Sequence, residues 1–118
     1  MERSIAYQKA FRLAVKIVTY CRLLRDDSKE YELARQLLKS GTSIGANLAE
    51  ANGAISKADF SNKVSISYKE TLETKFWLEL LQEVNLIEDS LYQEIYSDSD
   101  EIAKILFSIL KTTRINKT

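Results

Sequence analysis

Histidine and proline are both absent from the 118 residues; cysteine occurs once, as Cys21, and glycine three times, as Gly41, Gly45 and Gly53. Without histidine the commonest general base and the commonest metal ligand are both missing, and hydrolases built on Ser-His-Asp or Cys-His arrangements are excluded. A lone cysteine permits no intrachain disulfide. Few glycines and no proline leave little turn punctuation for a β-protein of this size. A helical chain needs little, because proline in a helix interior costs about 3 kcal/mol. No apolar run approaches the roughly 20 residues that span a bilayer. Met1-Glu2-Arg3-Ser4 lacks the features of a secretory signal, so a cytosolic protein with no membrane partner is expected.

What is present is ordinary for one globular domain: 45% hydrophobic and 29% charged residues, enough to build a core without metal or disulfides. Bases and acids number 17 each, so the net charge is zero, unlike most dedicated nucleic-acid binders. The charges are unevenly spread. Met1 to Arg25 holds six bases against Glu2, and Glu88 to Glu101 holds six acids and no base.

Periodicity predicts four helices, at about 4–25, 29–52, 57–85 and 91–114. In the first, Tyr7, Phe11, Ala14, Val18 and Cys21 recur at alternating four-and-three spacing and are read as the core stripe, with Cys21 a buried, inert thiol. Asp26-Asp27-Ser28 breaks the pattern and offers caps for the second helix. There Leu33, Leu37, Ile44 and Leu48, extended to Ile55, lie on one side, and Gly41 and Gly45 would let a neighbouring backbone approach. Gly53 is a natural stop. Ser56 with Asp59 resembles a capping box for the third helix. One stripe of that helix is Phe60, Val64, Thr71, Leu78 and Leu81; an adjoining one is Ile66, Trp77, Leu80 and Val84. So broad an apolar face suits more than one partner surface. In the fourth helix Leu91 and Ile95 align with Ile102, Leu106, Ile109 and Leu110. The intervening Ser97-Asp98-Ser99-Asp100-Glu101 is read as an exposed acidic turn of one continuous helix, the alternative being a short break. The tail Asn116-Lys117-Thr118 is expected to fray. Short connections between amphipathic helices predict an all-α, up-down-up-down four-helix bundle in a single domain.

Ser40, Ser43, Asn47 and Glu50 line one edge of the second helix. The third carries an answering set of Ser67, Glu70, Thr71, Glu73 and Thr74. If the two helices fold back at Gly53–Ser56, Ser43 meets Ser67 and Ser40 meets Glu70. The expected role is a structural polar layer that fixes register; a ligand site and solvated side chains are the alternatives. Glu50, Glu70 and Glu73 raise a di-metal possibility, but such bundle sites pair Glu with Glu-x-x-His, so no metal is expected. Lys9, Arg12 and Lys16 form a basic stripe placed opposite the apolar face. It is either a phosphate-binding surface or a wet helix face. No Gly-rich phosphate loop and no base-stacking platform occurs.

Gln36-Leu37-Leu38 followed by Ser40-Gly41-Thr42-Ser43-Ile44-Gly45-Ala46-Asn47-Leu48-Ala49-Glu50-Ala51 closely resembles the signature of bacterial four-helix-bundle proteins, some encoded within intervening sequences of 23S ribosomal RNA genes. Ser56-Lys57-x-Asp59-Phe60, then Lys63, then Lys69-Glu70-x-x-Glu73-Thr74-x-Phe76-Trp77-Leu78-x-Leu80-Leu81 agrees with it. The likeness covers roughly residues 5–110. It implies a four-helix bundle assembled as a homopentameric ring, with no catalytic residues and no cofactor. The accessory proteins of diversity-generating retroelements look like distant relatives; they are basic and engage a reverse transcriptase and nucleic acid. The expectation is a non-enzymatic, self-assembling scaffold or adaptor without a small-molecule substrate. The alternative is an RNA- or DNA-binding accessory using Lys9, Arg12 and Lys16.

Overall fold

The computed structural model describes residues 4–116, with side chains described for 4–113. It contains four helices: α1 (Ile5–Asp26), α2 (Tyr31–Asn52), α3 (Lys57–Glu83) and α4 (Asp89–Asn116). No strand occurs among the described residues. Each helix packs on two neighbours, α1 on α2 and α4, and α3 on α2 and α4, within a rod of 49 × 22 × 22 Å. The arrangement is therefore a square, up-down-up-down bundle in which α1 and α3 run parallel on one diagonal.

Local chemistry sets most helix boundaries. The Tyr7 N–H donates to Ser4 Oγ (3.1 Å), capping α1. At α3 the Asp59 N–H donates to Ser56 Oγ (3.0 Å), while the Asp59 carboxylate accepts from the Ile55 N–H (3.4 Å). The capping box thus forms with its return bond one residue early. Asn85, at φ 59°, closes α3, and the Leu86 N–H reaches back to the Leu81 carbonyl (2.9 Å); asparagine tolerates this left-handed backbone. The expected capping of α2 by Asp26-Asp27-Ser28 is not found. Asp26 ends α1, Lys29 takes φ 60°, and Glu30 stands at the N-cap of α2 without a side-chain cap bond. α4 is continuous through Ser97–Glu101: Ser99 is buried and its hydroxyl donates to the Ile95 carbonyl (2.9 Å). Lys117 and Thr118, where fraying is expected, lie outside the described residues.

Leu13, Ile17, Leu24, Leu37, Ile44, Val64, Leu78, Leu81, Ile95, Ile102 and Leu106 form the fully buried core. In α1 the core face is Ala6, Ala10, Leu13, Ile17, Tyr20 and Leu24, rather than the stripe expected there. Of that stripe only Cys21 is buried; Tyr7, Ala14 and Val18 are half-buried, and Phe11 is 54% exposed. The two stripes have the same four-and-three spacing and differ by one residue, which is about 100° around the helix. Ile55 belongs to the α2–α3 connection and is 95% exposed, not part of the buried side.

The glycines of α2 bring α1 close. A Cβ at Gly41 would lie 2.5 Å from Ile17 Cδ1 and 2.9 Å from its Cγ2. At Gly45 it would lie 3.7 Å from both the carbonyl carbon and the Cβ of Ala10, which is ordinary contact. A side chain at Gly41 would therefore force Ile17 to shift, whereas Gly45 would accept a methyl group but nothing larger directed at the Ala10 backbone. The Tyr20 hydroxyl donates to the Leu86 carbonyl (2.8 Å), tying α1 to the α3–α4 connection. Burial pushes that phenol up to about 12.

Candidate functional site

Between α2 and α3 lies a fully buried polar layer of Ser40, Ser67, Thr71 and Thr74. Ser67 Oγ donates across to the Ile44 carbonyl (2.8 Å). Thr74 Oγ1 and Ser40 Oγ lie 3.0 Å apart in the second cross-helix bond. Thr71 and Thr74 also reach the Ser67 and Glu70 carbonyls of their own helix, both at 2.8 Å. No buried side-chain polar atom among the described residues lacks a partner. The register differs from simple fold-back: Ser40 meets Thr74 rather than Glu70, and Ser67 meets the Ile44 backbone rather than Ser43. The remaining members stand outside the layer. Ser43 Oγ and the Asn47 amide bond to carbonyls of their own helix, Lys39 at 2.7 Å and Ser43 at 2.8 Å. Glu50 is exposed and pairs with Lys63 (2.8 Å); Glu73, also exposed, accepts from the Trp77 indole (3.4 Å). Glu70 is half-buried. Partial burial and the neighbouring Glu73 carboxylate raise its carboxyl above the ordinary range, with Lys39 pulling the other way. Replacing Ser67 or Thr74 with alanine should lower stability by about 1–2 kcal/mol, since each side chain satisfies a buried partner across the interface. Asn47→Ala should cost less than either. Urea denaturation of the three variants checks the order.

The basic stripe of α1 does not face away from the bundle. It borders α4, whose acidic segment pairs with two of its three bases. Lys9 pairs with Glu101 (3.0 Å), and Lys16 with Asp98 (2.6 Å) and Glu94 (3.0 Å). Hydrogen bonds to Asp98 and Glu94 raise the Lys16 ammonium above its usual range. Arg12 is exposed and forms no ion pair among the described residues. The structure brings the three side chains together around one small cleft, but shares that cleft with Asp98 and Glu101. On the neighbouring edge Lys75 and Lys104 both hold Asp100, at 2.8 and 3.0 Å. The base-rich first helix and the acid-rich fourth thus answer each other inside one subunit.

Two outer surfaces are more apolar than a lone bundle needs. Along the α1–α2 edge runs the stripe of Tyr7, Phe11, Ala14 and Val18. It continues into a groove of about 280 Å³ formed by Val18, Cys21, Tyr31, Ala34 and Leu38 and rimmed by Arg22, Arg25 and Arg35. Burial pushes the Cys21 thiol up to about 11, so it is protonated at neutral pH and unreactive. Along the opposite, α3–α4 edge, Tyr68, Leu72, Phe107 and Leu110 line a groove of about 520 Å³ between Lys69 and Lys111. Phe76 stands one turn beyond Leu72; both it and Phe107 are 53% exposed. Of the adjoining α3 stripe, Ile66, Trp77 and Leu80 are half-buried and Val84 is exposed. Sequence reasoning identified the α1 strip but placed it in the core, and did not single out Leu72, Phe76 or Phe107. Their signal was the spacing Ser65, Lys69, Leu72, Phe76, Glu79, Glu83, a third stripe on α3, with its two apolar members at the centre.

A third hollow, of about 580 Å³, lies at the end of the bundle beside the α2–α3 connection. Lys57 is the one titratable residue among the described residues of its lining, and no carboxylate stands beside it there. Among the described residues no group of three or more carboxylates or thiols is placed to hold a metal ion, and no helix is long and apolar enough to cross a membrane.

The comparisons agree with this architecture. The model of a family described as "23S rRNA-intervening sequence protein" matches residues 2–108. The solved structure of a protein of unknown function from Bacteroides thetaiotaomicron, assigned to the S23 ribosomal protein family, is similar at 46% identity and TM-score 0.89. The match covers 91% of this chain and 99% of that one. No curated protein matches. Two long motifs in helices α2 and α3, the square bundle they build and a family match over nearly the whole chain converge: this chain belongs to the 23S rRNA-intervening sequence protein family.

Proposed function

We propose that this protein is a non-enzymatic building block that self-associates into a closed ring and serves as a scaffold or adaptor. The observation that carries the proposal is the pair of unlike apolar strips on opposite edges of the bundle, α1–α2 and α3–α4. A monomer leaves both in water, where large exposed aromatic patches mark interaction surfaces. Because the strips differ and face apart, contact between them is heterologous, and such contacts build a ring when the rotation from one subunit to the next closes. Five subunits is the number the family resemblance implies. The non-enzymatic reading is supported by the chemistry of the interior, where the buried serine and threonine hydroxyls are occupied by helix carbonyls and by one another. The ion pairs of Lys9 and Lys16 weigh against the nucleic-acid alternative, because a phosphate would have to displace carboxylates already in place. Sedimentation velocity at tens of micromolar should give one discrete species at five times the chain mass. A monomer throughout that range would overturn the proposal.

A further inference from the structure

The charges bordering the two apolar strips indicate how they meet. Helices α1 and α3 run parallel, and contacts across α2 fix their relative height. Ala10 of α1 sits beside Gly45, and the next residue, Ile44, accepts the bond from Ser67. Ile17 sits against Gly41, and the adjacent Ser40 pairs with Thr74. The turns from Phe11 to Val18 are therefore level with those from Tyr68 to Phe76. By the same offset, Arg22 and Arg25 are level with Glu79 and Glu83.

We propose that the α1–α2 strip of one subunit receives the α3–α4 strip of a second copy with the bundle axes parallel. Phe11 and Val18 then pack on Leu72 and Phe76, and Arg22 and Arg25 meet Glu79 and Glu83. This pairing rests on the self-association reading and specifies its interface. Among the described residues Arg22 and Glu83 form no ion pair within their own subunit, Arg22 acting on Asp26 only through space, and Glu79 accepts a hydrogen bond from the Tyr96 hydroxyl (2.8 Å) without a cationic partner. Arg25 bonds Asp26 (2.9 Å) on the exposed end of α1. The α3 stripe changes from Leu72 and Phe76 to Glu79 and Glu83 at the height where the α1 stripe changes from Val18 to Arg22 and Arg25. Other pairings lose this match. Packing the α1 strip on itself in parallel sets arginine against arginine. Packing it on itself antiparallel leaves the arginines opposite Tyr7.

The test is charge reversal and its rescue, read by sedimentation. Arg22→Glu/Arg25→Glu and Glu79→Arg/Glu83→Arg should each weaken association roughly tenfold or more, since like charges across an interface are strongly unfavourable. The chain carrying all four changes should assemble as the wild type does. Circular dichroism establishes that each variant is folded. Should the double changes disturb folding, Arg22→Glu and Glu83→Arg, which break no ion pair within the subunit, repeat the test singly and together. A monomeric wild type would overturn self-association itself. An assembled wild type whose variants assemble equally well, or whose combined variant fails to recover, would overturn this pairing and leave self-association standing.

Discussion

Ile17→Ala is expected to lower the unfolding free energy by about 2–5 kcal/mol, the range for emptying a fully buried aliphatic site. Ile17 has no exposed surface and lies in the closest approach of the bundle, between α1 and Gly41 of α2. Collapse around the cavity is restricted there, because the facing residue has no side chain to move in. The same crowding sets the sign at Gly41. Gly41→Ala gains about 1 kcal/mol of helix propensity but drives a methyl group into two arms of Ile17, at about 1–3 kcal/mol. Gly45→Ala gains the propensity without the clash and should be stabilising. Because Ile17→Val removes the methyl nearest Gly41, combining it with Gly41→Ala should cost less than the two single effects added. Urea denaturation of the series measures both the size and the coupling.

The second large effect is on assembly. Phe11→Glu and Phe76→Glu should each convert the oligomer to smaller species while leaving the helical spectrum and the subunit's own stability nearly unchanged. Both rings are more than half exposed in the subunit, so a carboxylate at either position is solvated in the monomer and costs little. In the assembled state the same carboxylate would be buried without a partner. Removing an aromatic anchor from an interface centre costs about 2 kcal/mol or more on its own, and burying the charge adds to that. Equal loss of assembly and of stability would instead place these rings in the fold.

The fold was legible because four long amphipathic segments with short connections admit few arrangements. Gly53 and Ser56 marked the central turn, and continuity of α4 through its acidic turn followed from the unbroken alignment of Ile95 with Ile102. The core face of α1 was not legible, since both candidate stripes satisfy the helical period. The true one begins with Ala6 and Ala10, whose small side chains carry little hydrophobic weight but allow the approach of Gly45. The polar layer was half legible. Its residue types were recognisable, but Ser40 meets Thr74 rather than Glu70, one turn further along α3 on its buried side, and the carboxylates stay outside. The ion pairs of α1 with α4 had an overlooked signal. Lys9 and Lys16 are two turns apart, as are Glu94 and Glu101, and antiparallel neighbours with that spacing pair in reverse order. A basic stripe judged on one helix alone resembles a free surface until its neighbour is placed.

The most direct test of association through two unlike faces is to mix the Phe11→Glu and Phe76→Glu proteins. Each retains one intact strip, and the two intact strips are complementary. Native mass spectrometry should show each variant alone as a monomer and the mixture as a one-to-one dimer that does not grow further. A mixture that remained monomeric, or a single variant that still formed dimers alone, would contradict assembly through these two faces.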